Sequence, residues 1–247
     1  MKALVTGGSG FVGLYIVEQL VQRGDQVRAF CRRSLPVFEK LDVEHHEGDL
    51  RDQQAIQRAV EGVDIVYHVG GLPGLWGRWQ DFHDVNVLGT KYVIEACQQH
   101  QIPQLIYTSS PSVIFDGTSH EGVDETCPYP ARYLCDYAKS KAEGEQLVLQ
   151  ANQIDGLSTA AIRPHLVWGP RDQNLIPRII SRANTGKLRQ VGNGNNLVSV
   201  AYVENVAAAH LQLADALNPK APVAGQAYFI NDAEPVQLWS WINSFWR

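Results

Sequence analysis

The sequence predicts an α/β fold in which a doubly wound parallel sheet is followed by a small C-terminal lobe. Short apolar segments typical of buried parallel strands alternate with amphipathic helical segments from Ala3 to Arg163. Glycine turns follow two of these strands, and ligands bind at that edge in open parallel sheets. The chain has 247 residues, 45% of them hydrophobic, so it can bury one large core and a small additional lobe.

The first glycine turn joins a strand at residues 3–5 to a helix at residues 11–21. Its T-G-x-x-G-x-x-G spacing permits a sharp turn, close approach of a pyrophosphate to the backbone, and tight packing of helix on strand. The phosphates would face the free amides and the positive end of the helix dipole. A dinucleotide site is therefore predicted at Gly7, Gly10, Phe11, Val12 and Gly13, with an ordinary glycine-rich turn as the alternative.

A second strand at residues 26–30 ends beside Arg32 and Arg33. At this position, NAD-binding sheets carry an acid that binds the ribose 2′-hydroxyl, and NADP-binding sheets carry an arginine that binds the 2′-phosphate. Because no Asp or Glu is present here, the two arginines favour NADP, with NAD as the alternative cofactor. The competing interpretation places both arginines in a solvated loop.

Two further strands are predicted at residues 43–47 and 63–69. Between them, Asp49 or Asp52 can cap the next helix. The nearly continuous apolar run of the second strand is typical of a strand buried on both faces, and it ends in Gly70 and Gly71. Two glycine turns at one sheet edge fit one extended ligand.

A loop at residues 72–81 contains Trp76 and Trp79, which form either a lid and apolar substrate wall or an anchor to the core. The following helix, at residues 82–99, contains Asn86 among apolar neighbours. We expect Asn86 to be buried and hydrogen bonded toward the active-site strand.

Candidate catalytic residues follow the fifth predicted strand, at residues 104–108. Ser109 and Ser110 are placed to bind a substrate, although serines are also common turn residues. A helix at residues 133–149 carries Tyr137 and Lys141 one turn apart on the same face. A phenol has an ordinary pKa of about 10, and a nearby ammonium lowers it by favouring the phenolate, so the pair predicts acid/base chemistry.

The strand-helix rhythm becomes irregular after a sixth strand at residues 157–163. His165, after Pro164, lies either near the nicotinamide or in a purely structural loop. The later predictions are a helix at 174–186, a hairpin at 188–200, a helix at 203–217 and a strand at 226–230. We therefore predict a dinucleotide-binding domain over residues 1–170, and a substrate lobe with elements returning to the core over residues 171–247. The aromatic-rich segment 235–247 predicts either a chain cut short or an association surface.

Composition narrows the class of protein. The net charge of -5 and pI of about 5.9 give no basic field, which argues against a nucleic-acid partner. No apolar run reaches the ~18 residues of a membrane span, and no signal-peptide pattern opens the chain, so we expect a cytoplasmic protein. The four cysteines lack C-x-x-C spacing and are expected as reduced thiols, while the histidines lack metal-ligand spacing, so no metal site is predicted.

Taken together, these motifs resemble the extended short-chain dehydrogenase/reductase family. The likeness covers essentially the whole chain and is carried by the first glycine turn, Gly48-Asp49-Leu50, Tyr107 to Ser110, Tyr137 to Lys141, and Arg163-Pro164. Runs at residues 111–117, 163–170 and 202–210 are similar to the 3β-hydroxysteroid dehydrogenase branch. The glycines at 70 and 71 depart from the alanines usual there. Family members also continue past the equivalent of Arg247, so we expect an incomplete substrate lobe.

This resemblance implies a Rossmann fold with Ser110, Tyr137 and Lys141 as catalytic residues, Ser109 being the alternative to Ser110. It implies that Asp49 accepts a hydrogen bond from the adenine amino group. Further cofactor contacts are implied for Leu50, Gly70, Asn86, Lys141, Pro164 and His165. A homodimer formed through the helix bearing the tyrosine is expected.

The implied reaction is NADPH-dependent reduction of a ketone to a secondary alcohol, in which the tyrosine protonates the oxygen. A small apolar substrate, such as a long-chain 2-alkyl-3-oxo acid, is favoured because the tryptophan-bearing loop and the lack of a basic cluster argue against a nucleotide-sugar diphosphate. The alternatives are a 3β-hydroxysteroid or sterol dehydrogenase, a nucleotide-sugar epimerase or dehydratase, and a non-enzymatic dinucleotide-sensing protein.

Overall fold

The main sheet of the protein, described from a computed structural model, has seven parallel strands in the order β10-β6-β5-β4-β1-β2-β3. The structure describes residues 1–74, 76–190 and 192–246, so Leu75 of the predicted loop, Val191 of the predicted hairpin and Arg247 lie outside the described residues. The strands are β1 (Lys2–Thr6), β2 (Gln26–Cys31), β3 (Glu44–Glu47), β4 (Ile65–His68), β5 (Gln104–Thr108), β6 (Ser158–Pro164) and β10 (Ala227–Ile230). The order reverses between β1 and β4, which confirms the doubly wound prediction and places a crevice at the carboxyl ends of these two strands.

Helices cover both faces of the sheet because its central strands are apolar on both sides. They are α1 (Phe11–Arg23), α2 (Pro36–Lys40), α3 (Gln53–Val60), α4 (Trp79–Phe82), α5 (Gly89–Gln99), α6 (Asp136–Gln150), α7 (Leu175–Asn184), α8 (Val203–Ala216) and α9 (Leu238–Asn243). One core joins α1 and α8 to the sheet, and a second joins α3, α5 and α6 to the opposite face. In the part of the chain that the structure describes, no helix has both the length and the apolar character needed to cross a membrane.

The helix predicted at residues 82–99 starts earlier and contains an irregularity. It begins at Trp79, passes through a π-helical segment at His83–Leu88, and continues as α5. Trp79 therefore lies on a helix, whereas the sequence analysis placed it in the preceding loop. A π-helical turn holds an extra residue, and this one contains Asn86, whose side chain is committed to contacts outside the helix.

The predicted hairpin at residues 188–200 is wrong. Short strands β8 (Leu197–Val198) and β9 (Val200–Tyr202) form here, but they pair with distant segments. β9 pairs in parallel with β7 (Leu166–Trp168), and β8 pairs antiparallel with β11 (Val236–Gln237). The glycine- and asparagine-rich stretch does turn the chain, but the apolar residues of β9 find apolar partners directly after β6 rather than across the turn.

The C-terminal aromatic segment packs against β7 and the end of β9. The rings of Trp241 and Phe245 meet that of Trp168 edge to face, with centroids 5.8 and 6.2 Å away. Tyr202 contacts the same indole at 5.2 Å. These contacts make one aromatic cluster out of residues that are far apart in the sequence.

The loop after β7 is fastened to α1. Arg171 makes a bidentate ion pair with Glu18, at 2.7 and 2.8 Å, and its guanidinium lies 3.8 Å from the ring centroid of Tyr15. The Tyr15 hydroxyl in turn donates to the carbonyl of Pro170 at 3.0 Å. Charge, stacking and hydrogen bonding thus hold this loop against α1.

Candidate active site

Two glycine turns meet in the crevice between β1 and β4. Gly7 has a φ of +68°, and a Cβ there would lie 2.7 Å from the Cα of Gly70. A Cβ on Gly13 would lie 2.2 Å from the carbonyl oxygen of Gly7, so the helix can approach the strand this closely only with glycine at this position. Because these glycines carry no side chains, a ligand in the crevice can contact the main chain of both turns.

The amino end of α1 has the features of a phosphate site. Gly10 is the N-cap residue and supplies no side-chain cap, and the first turn contains no acidic residue. The amides of Phe11, Val12 and Gly13 are therefore the groups that the first helical turn leaves for an anion. Together with the glycine geometry, this arrangement fits the pyrophosphate of a dinucleotide.

Beyond the carboxyl end of β2, Arg32 and Arg33 are exposed beside the first glycine turn. The Gly7 amide donates to the carbonyl of Phe30 at 2.8 Å, which places the end of β2 next to the turn. Within the described residues, neither guanidinium forms a hydrogen bond or ion pair. Both cations are thus available to an added phosphate.

Of the two aspartates that could cap the next helix, Asp52 does so. Asp52 caps α3 by accepting from the amide of Ala55 at 3.0 Å. The carboxylate of Asp49 instead accepts from the Arg51 side chain at 2.9 and 2.7 Å, which lowers the pKa of Asp49 to about 2. The carboxylate that the resemblance assigns to adenine is therefore also the acceptor for Arg51. The sequence analysis did not single out Arg51, although its position two residues after Asp49 was an available signal.

A buried hydrogen-bonded chain links the glycine turns to the following helix. The Gly70 amide donates to the Thr6 hydroxyl at 3.1 Å, and this hydroxyl contacts Nδ1 of His68 at 2.7 Å. Nε2 of His68 lies 3.0 Å from the Thr90 hydroxyl, which donates to the carbonyl of Asn86. Because the Thr90 hydroxyl donates its proton to that carbonyl, Nε2 of the His68 imidazole must be the donor to Thr90. Nδ1 then accepts from the Thr6 hydroxyl.

His68 is neutral in this chain. It is fully buried, and burial lowers its pKa to about 3, with the nearby Lys141 charge acting in the same direction. Sequence reasoning missed this residue because a histidine at the end of an apolar strand gives no spacing pattern.

Asn86 joins three segments. Its carboxamide accepts from the amide of Leu72 at 2.7 Å and donates to the carbonyl of the same residue at 3.1 Å. It also donates to the Ser140 hydroxyl on α6 at 2.9 Å. Asn86 is buried and hydrogen bonded as expected, but its partners lie on the loop after β4 and on α6 rather than on the active-site strand. The amide secures the backbone just after the second glycine turn.

Ser110 and Tyr137 lie together at the carboxyl end of β5. Burial raises the pKa of the Tyr137 phenol, and the adjacent Ser110 hydroxyl opposes this rise. The Ser110 hydroxyl also lies 2.8 Å from that of Ser112 and accepts from the Ser112 amide at 3.2 Å. The Ser109 hydroxyl is buried and has no hydrogen-bond partner among the described residues.

Lys141 contacts β5 rather than setting the pKa of the phenol. Its ammonium donates to the carbonyl of Thr108 at 2.6 Å and lies 4.2 Å from the ring centroid of Tyr107. Burial lowers the pKa of Lys141 to about 7, while the carboxylate of Glu145 raises it. The sequence argument expected Lys141 to lower the pKa of Tyr137. The structure differs because the amine is directed to the strand and burial dominates at the phenol.

The end of β6 brings Pro164, its last residue, and the following His165 to the same edge of the sheet. The His165 ring packs against Phe229 with a centroid distance of 5.5 Å, and burial lowers its pKa. Beneath it, Arg163 and Glu145 form a buried ion pair at 2.6 Å, to which the Tyr129 hydroxyl also donates. This pair anchors β6 to α6 below Lys141.

A buried aromatic ring packs against Tyr137. The Phe82 ring meets it edge to face, with centroids 6.2 Å apart. Trp79 packs under the ammonium of Lys139 at 4.1 Å, so this indole is pinned to α6, whereas Trp76 is 87% exposed. Trp79 therefore matches the anchoring interpretation, although it is anchored to α6 rather than to the core, and the lid or substrate-wall interpretation of the loop stays a prediction.

Comparisons with known proteins extend these observations. The sequence profile of the 3-beta hydroxysteroid dehydrogenase/isomerase family matches residues 4–247. A 2-alkyl-3-oxoalkanoate reductase of Stenotrophomonas maltophilia is 46% identical over 246 residues, covering 98% of this chain and 74% of that protein. One from Shewanella oneidensis is 41% identical, with 98% and 64% covered. A decarboxylating sterol-4-alpha-carboxylate 3-dehydrogenase of Mus musculus is 39% identical, with 98% and 67% covered.

Solved structures agree on the fold. MoeE5, solved in complex with UDP-glucuronic acid and NAD, has a TM-score of 0.82 at 28% identity, covering 99% of this chain and 82% of that one. The UDP-glucuronic acid 4-epimerase of Bacillus cereus has a TM-score of 0.84 with the same coverage, and its 22% identity shows the fold alone. The resemblance found in the sequence is confirmed. The chain belongs to the 3-beta hydroxysteroid dehydrogenase/isomerase family and is an oxidoreductase built on the NAD-binding fold.

Proposed function

We propose that this protein uses NADPH to reduce the ketone of a long-chain 2-alkyl-3-oxo acid to a secondary alcohol. The observation that carries the proposal is the proximity of the Tyr137 phenol to the Ser110 hydroxyl, which opposes the rise of the tyrosine pKa. The pair lies at the sheet edge that also holds both glycine turns. A proton donor and a hydroxyl beside a dinucleotide crevice are the protein groups that carbonyl reduction requires.

The protonation state of Tyr137 suits the reductive direction. When bound, the nicotinamide supplies the hydride that reaches the carbonyl carbon. Ser110 holds the carbonyl oxygen, and Tyr137 transfers its proton to that oxygen as the C–O bond becomes single. Because burial raises the pKa of Tyr137, the phenol enters the reaction protonated at neutral pH.

The substrate class is inferred from the names of the relatives. A 2-alkyl-3-oxoalkanoate and a sterol 4-carboxylate oxidised at carbon 3 share a fragment, in which the reacting carbon lies β to a carboxylate and the carbon between them bears an alkyl group. This shared fragment favours an apolar β-oxo acid over a nucleotide sugar.

NADPH is proposed on the strength of Arg32 and Arg33. Both are exposed at the end of β2, where a 2′-phosphate would lie, and the strand end carries no carboxylate for a 2′-hydroxyl. The amides at the start of α1 would take the pyrophosphate.

The test measures NADPH and NADH consumption by the purified protein with a long-chain 2-alkyl-3-oxo acid, and cofactor binding in the same samples. Tyr137→Phe should lower kcat by about a hundredfold or more while leaving NADPH binding intact. Tyr228→Phe, on the edge strand β10, serves as the matched control and should keep wild-type turnover.

Competing substrates decide between the candidate classes. A 4-carboxysterol and a UDP-sugar should be turned over more slowly than the 2-alkyl-3-oxo acid. Preferred turnover of the UDP-sugar, with NAD retained through purification, would overturn the proposal in favour of an epimerase or dehydratase. Normal activity of Tyr137→Phe would remove the assigned proton donor.

A further inference from the structure

The ammonium of Lys141 contacts the last two residues of β5, Tyr107 and Thr108. One contact is a hydrogen bond of 2.6 Å to the carbonyl of Thr108, and the other is the face of the Tyr107 ring at 4.2 Å. Lys141 is only 5% exposed, so these contacts, rather than water, surround the amine. The direction of the Thr108 carbonyl therefore fixes the position of the ammonium.

The Thr108 side chain is itself held from the opposite face of the sheet. Its hydroxyl lies 2.7 Å from Nε2 of His210, a fully buried residue of α8. Nδ1 of the same imidazole lies 2.7 Å from the carbonyl of Val206, one turn earlier in that helix. A carbonyl can only accept, so Nδ1 carries the proton and Nε2 accepts from the Thr108 hydroxyl.

The Thr108 peptide is held by strand pairing, since the Ser109 amide donates to the carbonyl of Ile162 at 2.6 Å, and the bond of the Thr108 hydroxyl to α8 is a second restraint. The hydroxyl is drawn to α8, and the Thr108 carbonyl is directed to Lys141 on α6. Burial lowers the pKa of His210 to about 4, so at neutral pH the imidazole stays uncharged and keeps an acceptor for the hydroxyl. Ser110 follows two residues later, so the same strand end carries both a candidate substrate-binding hydroxyl and the support of the lysine.

We propose that Thr108 and His210 are positioning residues that hold the Lys141 ammonium against the end of β5 through the carbonyl of Thr108. The effect expected on turnover rests on the proposed function, with Lys141 in the catalytic role that the family resemblance implies. The geometric part, the fixing of the amine, stands on the contacts alone. Neither residue touches the reacting atoms.

The first experiment measures the position of Lys141 without any cofactor or substrate. Amine labelling with trinitrobenzenesulfonate, followed by peptide mapping, reports how accessible Lys141 is in the free protein. Thr108→Val removes the hydroxyl at nearly constant volume and should raise the labelling rate of Lys141 by about tenfold, whereas Thr108→Ser should retain wild-type protection. Thr159→Val removes another buried hydroxyl bond, of 2.7 Å to the carbonyl of Val148, and should leave Lys141 protected.

The second experiment measures turnover. Thr108→Val should lower kcat by about tenfold with little change in KM for the oxo acid, and Thr108→Ser should restore it. In the Lys141→Met background, the same Thr108→Val change should have no further effect, because the group that it positions is gone. If Thr108→Val does not fold, His210→Asn carries both experiments, since its shorter amide cannot bridge Val206 and Thr108.

Unchanged labelling in Thr108→Val would overturn the inference, as would an equal loss of kcat with and without Lys141. A protein that turns over no oxo acid, but shows the expected labelling, would contradict the proposed function and leave the positioning role supported.

Discussion

A single methyl group at Gly13 is expected to destroy the dinucleotide site. The added Cβ would lie 2.2 Å from the Gly7 carbonyl oxygen, a backbone atom that cannot move without opening the turn. Gly13→Ala should therefore weaken NADPH binding at least tenfold, by about 1.4 kcal/mol or more, in a fluorescence titration. Gly62→Ala is the control. It meets no neighbour within 4 Å and should lose about 1 kcal/mol of stability through its φ of +72° while binding cofactor normally.

The positive charges of Arg32 and Arg33 are expected to determine whether NADPH or NADH binds more tightly. Replacing both by alanine should raise the Kd for NADPH about tenfold or more and leave the Kd for NADH nearly unchanged, because only NADPH carries the 2′-phosphate. Isothermal titration with each dinucleotide measures the ratio, and Arg178→Ala on α7 controls for a general loss of positive charge. Equal losses for the two cofactors would show that the arginines do not read the phosphate.

At the scale of elements, Asn86 makes the π-helical segment a junction. Asn86→Ala should lower the free energy of unfolding by about 2 to 4 kcal/mol, since the Leu72 amide and the Ser140 hydroxyl each lose a partner next to a buried side chain. Urea unfolding measures this loss, and Gln80→Ala, which removes an exposed bond to Asp84, should cost under about 0.5 kcal/mol. Similar losses of unfolding free energy in the two variants would contradict the role of Asn86 in joining these segments.

The elements also show what could be predicted from the sequence. The main-sheet strands, the glycine turn and the Tyr137 helix depend on residues that are neighbours in the chain, so periodicity and spacing were sufficient. His68 and Thr6 are 62 positions apart, His210 and Thr108 are 102 apart, and Arg171 and Glu18 are 153 apart. These pairs form only once the sheet is assembled, and the same holds for β9, whose partner could not be distinguished from a local hairpin.

For the whole molecule, the buried histidines predict sensitivity to mild acid. The folded-state pKa is about 3 for His68 and about 4 for His210, against an ordinary value of 6.5, so below pH 6.5 the unfolded chain takes up protons that the folded chain refuses. The free energy of unfolding should therefore fall as the pH drops from 6.5 to 4. The lowered carboxylate pKa values of Glu44 and Asp49, both about 2, add to this loss from about pH 5 downward, because their ordinary values are 4.5 and 3.8.

Urea unfolding at pH 7, 5.5 and 4.5 measures this dependence. His210→Asn removes one of the two groups and should flatten the decline above pH 4, even if its stability at pH 7 is lower. A wild-type stability that is constant between pH 6.5 and 4.5 would contradict the assignment of two neutral, buried imidazoles.

The ion pair between Arg171 and Glu18 also bears on thermodynamic linkage. It fastens the loop after β7 to α1, the helix whose amino end faces the candidate phosphate site. The occupancy of the amino end of α1 and the position of this loop are therefore expected to be linked. Glu18→Gln should weaken that linkage without removing any group of the candidate phosphate site, and hydrogen exchange of the loop amides with and without NADPH measures it.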